Sequence, residues 1–183
     1  MQFGLSASFS FLIFLLLSLT TIDVYASDLE FKGNLLDRPC QIDPASVAQE
    51  ISFRDTASRL FFTWPGKSSE QTFQIKLVNC HSMTIGKIVE LTFKGQEENK
   101  LPGYLQVRGI NLGKLGIGVI DTDGVSLLKL NQIHNKGKGM KVDDNTVTFN
   151  FKAFVQATND AISSKSVKPG NYSATATFVL LYK

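Results

Sequence analysis

The last fifteen residues of the chain, Pro-Gly-Asn-Tyr-Ser-Ala-Thr-Ala-Thr-Phe-Val-Leu-Leu-Tyr-Lys, alternate side by side until the sequence stops at Lys183. Tyr172, Ala174, Ala176, Phe178, Leu180 and Tyr182 fall on one face, and Ser173, Thr175, Thr177, Val179, Leu181 and Lys183 on the other, as the two-residue period of one β-strand requires. Both faces turn apolar toward the end. Such a segment is expected inside a sheet and not at its rim, because an apolar edge offers unpaired backbone groups to any passing strand. The expectation is a fold that needs a strand this sequence does not contain.

The other end is read as a leader. Residues 3–22 carry no charge, and an apolar run over 9–19 is followed by Val24-Tyr25-Ala26, a small-residue cleavage site. A secretory signal over 1–26, cut after Ala26, is the expectation, although no Lys or Arg precedes the apolar run. An uncleaved anchor is the alternative that the run's length permits. Removing 26 of the 183 residues leaves 157, a length suited to one domain with a sizeable core. The chain has 19 basic and 16 acidic residues, and Asp23 leaves with the leader, so the mature formal charge is +4 without a dominant basic block. Nucleic acid is not indicated as a partner.

Strand signals recur through the mature chain, separated by Gly, Asn, Asp and Pro, and the class is all-β. Phe73, Ile75 and Leu77 alternate with polar neighbours, as do Val89, Leu91 and Phe93. Leu105 and Val107 suggest a short strand. Leu115, Ile117 and Val119 run into Asp121-Thr-Asp-Gly124 and Val125-Ser-Leu-Leu-Lys-Leu130, the pattern of a hairpin. Val147, Phe149, Phe151, Ala153, Val155 and Ala157 mark one face of a long strand with one buried side. The span 60–64 reads as a strand, the first part of 46–62 stays open between helical spacing of Val47, Ile51 and Asp55 and alternation of Ile51 and Phe53, and 156–167 is a polar connection with room for one helical turn. About seven short strands in roughly 150 residues fit an immunoglobulin-like sandwich.

Few residues invite chemistry. The two cysteines, Cys40 and Cys80, form an even pair in an exported chain and point to a disulfide that implies an oxidising compartment. Closing that loop would stabilise the fold by ~4 kcal/mol on the chain-entropy model. Their placement ties the opening strand to its neighbour, unlike the central bridge of antibody domains. His81 and His134 have no Cys, Asp or Glu at metal-ligand spacing, and no nucleophile elbow is present, so neither metal nor catalysis is expected. Asp121-Thr-Asp-Gly124 lacks the further ligands of a calcium loop and reads as a tight turn. The basic, glycine-rich stretch from His134 to Lys141 reads as a mobile solvated loop. Gly113, Gly116 and Gly118 read as turns and strand kinks.

One segment remains. Leu29, Phe31, Gly33 and Leu35 share one face of an amphipathic strand, with Asp28, Glu30, Lys32 and Asn34 on the other. It is either the first strand of the chain's own sheet or a strand given to another molecule, a recognised mode of association.

These marks together resemble the pilins of the chaperone-usher pathway. The cleaved leader, in-phase Gly33, paired Cys40 and Cys80, Gly170 fourteenth from the end and penultimate Tyr182 are in place. Phe31-Lys-Gly-Asn-Leu-Leu-Asp-Arg-Pro-Cys40, Val78-Asn-Cys-His81, Gly86-Lys-Ile-Val-Glu-Leu-Thr-Phe-Lys-Gly95 and Tyr172-Ser-Ala-Thr-Ala-Thr-Phe178 are similar to the adaptor subunits that join a thin tip fibrillum to a rod. The resemblance implies an incomplete immunoglobulin-like sandwich that lacks its C-terminal strand and is completed in trans. It implies an N-terminal extension over 27–39, with Leu29, Phe31, Gly33 and Leu35 as donor side chains, and a pilin domain over 40–183. Gly170, Tyr172, Ala174, Ala176, Phe178, Leu180, Tyr182 and Lys183 would form the acceptor groove and chaperone-binding strand. The implied partners are a periplasmic chaperone, an outer-membrane usher and pilus subunits on both sides. No cofactor, metal, small-molecule substrate or catalytic residue is implied, and the destination would be a fimbrium on a Gram-negative cell.

Overall fold

The computed structural model describes residues 39–183; the leader, and the donor side chains expected at 29, 31, 33 and 35, lie outside the described residues. Eleven strands are described: β1 (Gln41–Ile42), β2 (Gln71–Val78), β3 (Ile88–Gly95), β4 (Leu105–Gln106), β5 (Arg108–Gly109), β6 (Leu115–Ile120), β7 (Leu127–Leu128), β8 (Met140–Lys141), β9 (Val147–Ala157), β10 (Tyr172–Ser173) and β11 (Ala176–Tyr182). Two short helices, α1 (Pro44–Val47) and α2 (Asn159–Ser163), join them. Asp43 caps α1 by accepting from the Ala45 N–H, and Thr158 caps α2 by accepting from the Ala161 N–H.

The alternation read from the sequence becomes the sandwich. One sheet runs β1-β2-β9-β6-β4, with β7 on β6, and the facing sheet runs β11-β3-β8; a small ribbon pairs β10 with β5. All of these pairs are antiparallel. In β9, Val147, Phe149, Phe151, Ala153, Val155 and Ala157 are all buried, so every second residue faces the core. Phe73 and Phe151 of one sheet meet Phe93 of the other, with ring centroids at 6.1 and 5.2 Å and edge-on geometry. Burying rings of this size contributes roughly 1.5–3 kcal/mol each, which makes the aromatic layer the main seam between the sheets. Cys40 and Cys80 are bonded and join the start of β1 to the end of β2, neighbours in one sheet.

Several expectations are corrected. The C-terminal segment is two strands and not one: β10 pairs with β5, then Ala174 and Thr175 cross to β11, which pairs with β3. Gly95 permits the crossing, since a Cβ there would lie 2.4 Å from Leu105 and 3.0 Å from the Thr175 carbonyl. β11 also lies at the rim of its sheet among the described residues. Residues 60–64 are no strand; Ser58–Phe62 forms a 3-10 turn that buries only Phe61 of its apolar run. Apolar residues in succession, without alternation, were what misled there. Gly116 and Gly118 do not kink β6 but clear space: a Cβ at Gly118 would sit 2.6 Å from both Phe154 and Tyr104.

The stretch from His134 to Lys141 is no freely solvated loop. His134 is 0% exposed, and its imidazole stands edge-on to Phe149 at 4.9 Å. Asp121 holds the stretch from outside, accepting from the Asn135 and Lys136 N–H groups at 2.9 and 3.1 Å. Asp123 closes the turn, with Oδ1 accepting from the Val125 and Ser126 N–H groups and Oδ2 taking the Ser126 hydroxyl and the Lys136 ammonium, and Gly124 turns the chain at φ +76°.

Candidate functional site

A groove of about 650 Å³ opens beside β11. Its floor is core: Phe73 and Ile75 of β2, Phe93 of β3, Leu105 of β4, Ile117 and Val119 of β6, and Ala153 of β9. One wall is the stretch from Ala174 to Phe178, and the other is segment 46–53, the end of α1 and the extended chain that follows it. In a closed sandwich these floor residues would be covered by a strand.

Both walls have backbone to spare. β11 is paired along one edge only, from Ala176 opposite Gly95 to Tyr182 opposite Val89, and no strand pairs with its other edge among the described residues. The opposite wall is pinned at its start, where Lys76 donates to Ser46 Oγ and Asp43 N–H donates to the Lys76 carbonyl. Further along, the Gln49 side chain donates to the Gln74 carbonyl at 2.8 Å. Ile51 and Phe53 turn their side chains into the core cluster while Ser52 and Arg54 face out.

The groove has a second section of about 700 Å³, lined by residues 50–58 on one side and Pro169 to Tyr172 on the other. Phe53 lines both sections, and its ring meets that of Tyr172 at 6.2 Å, so this pair stands where they join. The second section is the more polar, with Glu50, Arg54 and Asp55 in its wall. Burial raises the Tyr172 phenol above its ordinary value and Asp55 adds to this; burial alone raises Tyr182. Both phenols therefore stay neutral in the physiological range.

The residues singled out from the sequence fall as follows. Gly170 and Tyr172 line the second section, and Ala174, Ala176 and Phe178 line the first. Gly170 adopts φ +149°, a backbone setting that side chains resist, and a Cβ there would lie 2.9 Å from Ile110. Leu180 and Tyr182 continue the same face, half-buried against the core. Lys183 lies on the other face, with Nζ 2.8 Å from Glu90. Ser46, Ile51 and Phe53 were missed as wall residues; the alternation of Ile51 and Phe53 was the available signal, masked by an equally good helical spacing. No group of three or more His, Cys, Asp or Glu among the described residues is placed to hold a metal ion.

A sandwich with an uncovered core and two strand-like walls defines a class of protein that is one strand short. The comparisons give that class a name: the Fimbrial protein family model matches residues 29–183, and the chain belongs to that family, a family of structural pilus subunits. It is 53% identical over 158 residues to the fimbrial adapter PapK of Escherichia coli, covering 86% of this chain and 89% of the relative. It is 30% identical over 156 residues to the major MR/P fimbria protein of Proteus mirabilis, covering 85% and 83%. Among solved structures, the P pilus rod subunit PapA superposes with a TM-score of 0.66 at 25% identity, over 80% of this chain and all of that one. The chain is thus a subunit that assembles with other pilus subunits on the surface of a Gram-negative cell.

Proposed function

We propose that this chain is an adaptor subunit, placed between the tip fibrillum and the rod of a pilus and assembled by donor-strand exchange. The observation that carries the reading is the open groove between segment 46–53 and the free edge of β11, whose floor is apolar core. An extended strand laid there would gain backbone hydrogen bonds from an unpaired edge and bury alternate side chains in the floor. The adaptor position rests on the likeness to a fimbrial adapter over most of both chains.

On this reading a periplasmic chaperone first lends a strand to the groove and holds the end of β11. At an outer-membrane usher, the N-terminal strand of the next subunit then replaces it. This chain's own 27–39 extension, led by Leu29, Phe31, Gly33 and Leu35, goes to the groove of the subunit before it. Where the incoming strand crosses the Phe53 and Tyr172 rings, a residue without a side chain fits best, which gives an in-phase glycine such as Gly33 its physical role. The leader over 1–26 delivers the chain to the periplasm, where the Cys40–Cys80 bridge forms.

The test is co-purification with the chaperone. Phe178→Asp and Tyr182→Asp each place a charge against the core, and each should lower the yield of the chaperone complex severely relative to Val179→Asp on the exposed outer face. Equal yields for all three would overturn the groove as the captured surface. Expressed without a chaperone, the wild-type chain should aggregate or be degraded, whereas a self-complete sandwich would accumulate as a folded monomer.

A further inference from the structure

β11 is apolar on both faces, so hydrophobic burial alone discriminates weakly between them. Phe178, Leu180 and Tyr182 face the groove side and the core, while Val179 and Leu181 stand 40% and 55% exposed on the outer face. Sliding β11 by one residue along β3 would exchange the two sets, because a one-residue slip turns every side chain to the opposite side of a sheet. Something other than apolar content must decide which set forms the wall.

We propose that Glu90 is the positioning residue that fixes the register of β11, and with it the face that the groove presents to an incoming strand. Glu90 lies opposite Leu181 on the outer face of β3, yet its side chain is only 9% exposed. The turn at Gly139 covers it: a Cβ on that glycine would lie 3.2 Å from the Glu90 Cγ. The carboxylate reaches the Lys183 ammonium at 2.8 Å, diagonally across the two strands on one face. The Lys183 backbone lies opposite Ile88, donating to its carbonyl and accepting from its N–H at 2.8 and 2.9 Å. In the slipped register Lys183 would swing to the inner side. Glu90 would then be a covered carboxylate without its cation, and the ammonium would press on apolar core, two costs that add to the exchange of Phe178, Leu180 and Tyr182 for Val179, Leu181 and Lys183 on the inner face. The latch deepens the strand-accepting reading above and rests on it for its role in assembly.

Two reporter cysteines read the register in the full mature chain, as purified from the periplasm with its native disulfide and any chaperone that accompanies it. Leu181→Cys should react quickly with a neutral thiol reagent and Leu180→Cys slowly. Adding Glu90→Gln, or Lys183→Met as the variant that leaves the covered residue intact, should lower the ratio of the two rates on the order of tenfold. The reversed pair, Glu90→Lys with Lys183→Glu, should restore it, which mere loss of packing at position 90 would not allow. A ratio unmoved by the single replacements, or not restored by the reversed pair, overturns the latch. Entry of a fluorescent peptide carrying the N-terminal strand of the subunit that follows into the wild-type chain separates the two readings. Peptide entry with a ratio indifferent to Glu90 sinks the latch alone. A ratio that follows Glu90, with no peptide entry, upholds the latch and sinks the strand-accepting reading.

Discussion

His134 bonds to both polar groups of Leu91: its own N–H donates to the Leu91 carbonyl, and its Nδ1 accepts the Leu91 N–H, each at 3.0 Å. Leu91 lies opposite Leu180, so the imidazole braces β3 on the edge away from β11. A protonated ring could not accept that bond, and Nε2 already lies buried without a partner among the described residues. Burial holds the pKa of His134 below its ordinary 6.5, against the opposing pulls of the Asp121 and Glu90 carboxylates. Between that lowered value and 6.5 the unfolded chain binds more protons than the folded one, so stability rises with pH there. Its full contribution is present above pH 6.5 and is lost as the pH falls from 6.5 toward the folded-state value. The denaturant midpoint of the subunit complex should fall on acidification from about pH 7.5 to 5, by at most ~1.4 kcal/mol per pH unit. His134→Gln, which keeps an acceptor but does not titrate, should flatten that dependence; an equally steep profile in the variant would assign it to other groups.

The elements that the sequence made legible are those whose alternation has one polar face. β2, β3 and β9 were read within a residue or two, because polar residues such as Thr, Gln, Lys and Asn on their outer faces leave one choice of inner face. β6, by contrast, is buried on both faces and was read from its alternation of glycine with large apolar residues. The hairpin of β6 and β7 was read from its turn residues, and it pairs Ile120 with Leu127. What resisted was the wall at 46–58, where a four-residue helix gives way to extended chain held largely by side-chain bonds, since backbone pairing leaves a pattern in sequence and side-chain pinning does not. In the sequence only one wall, β11, was legible; the floor and the second wall gather residues from six separate segments, which no local pattern joins. That second wall hangs from β1, and β1 is tied to β2 by the disulfide. Replacing Cys40 and Cys80 by Ala should therefore cost ~4 kcal/mol of stability by loop-closure entropy and loosen the entry to segment 46–53. Urea titration of the chaperone complex would measure the first effect, and protease cutting within 46–58 the second. A loss near zero with uncut wall would mean that the Ser46 and Asp43 bonds suffice.

On the proposed reading the molecule has two joints, and they should fail independently. The groove belongs to the domain that the structure describes, and its described lining runs from Ile42 to Phe178. Donation would use that segment alone, with Leu29, Phe31, Gly33 and Leu35 as its alternating face. A chain beginning at residue 36 after the leader should therefore still fold in its chaperone complex and still accept a strand from the subunit that follows. It should be unable to enter the groove of the subunit that precedes it, so fibres would grow from it in one direction only. Mixing the purified truncated complex with each neighbour's complex, and following the exchanged pairs by electrophoresis without boiling, tests both halves at once. Normal pairing on both sides would show that the 27–35 segment is not the donor. Loss on both sides would show that the segment also serves the chain's own domain, as the first strand of its own sheet, and that the two joints are one.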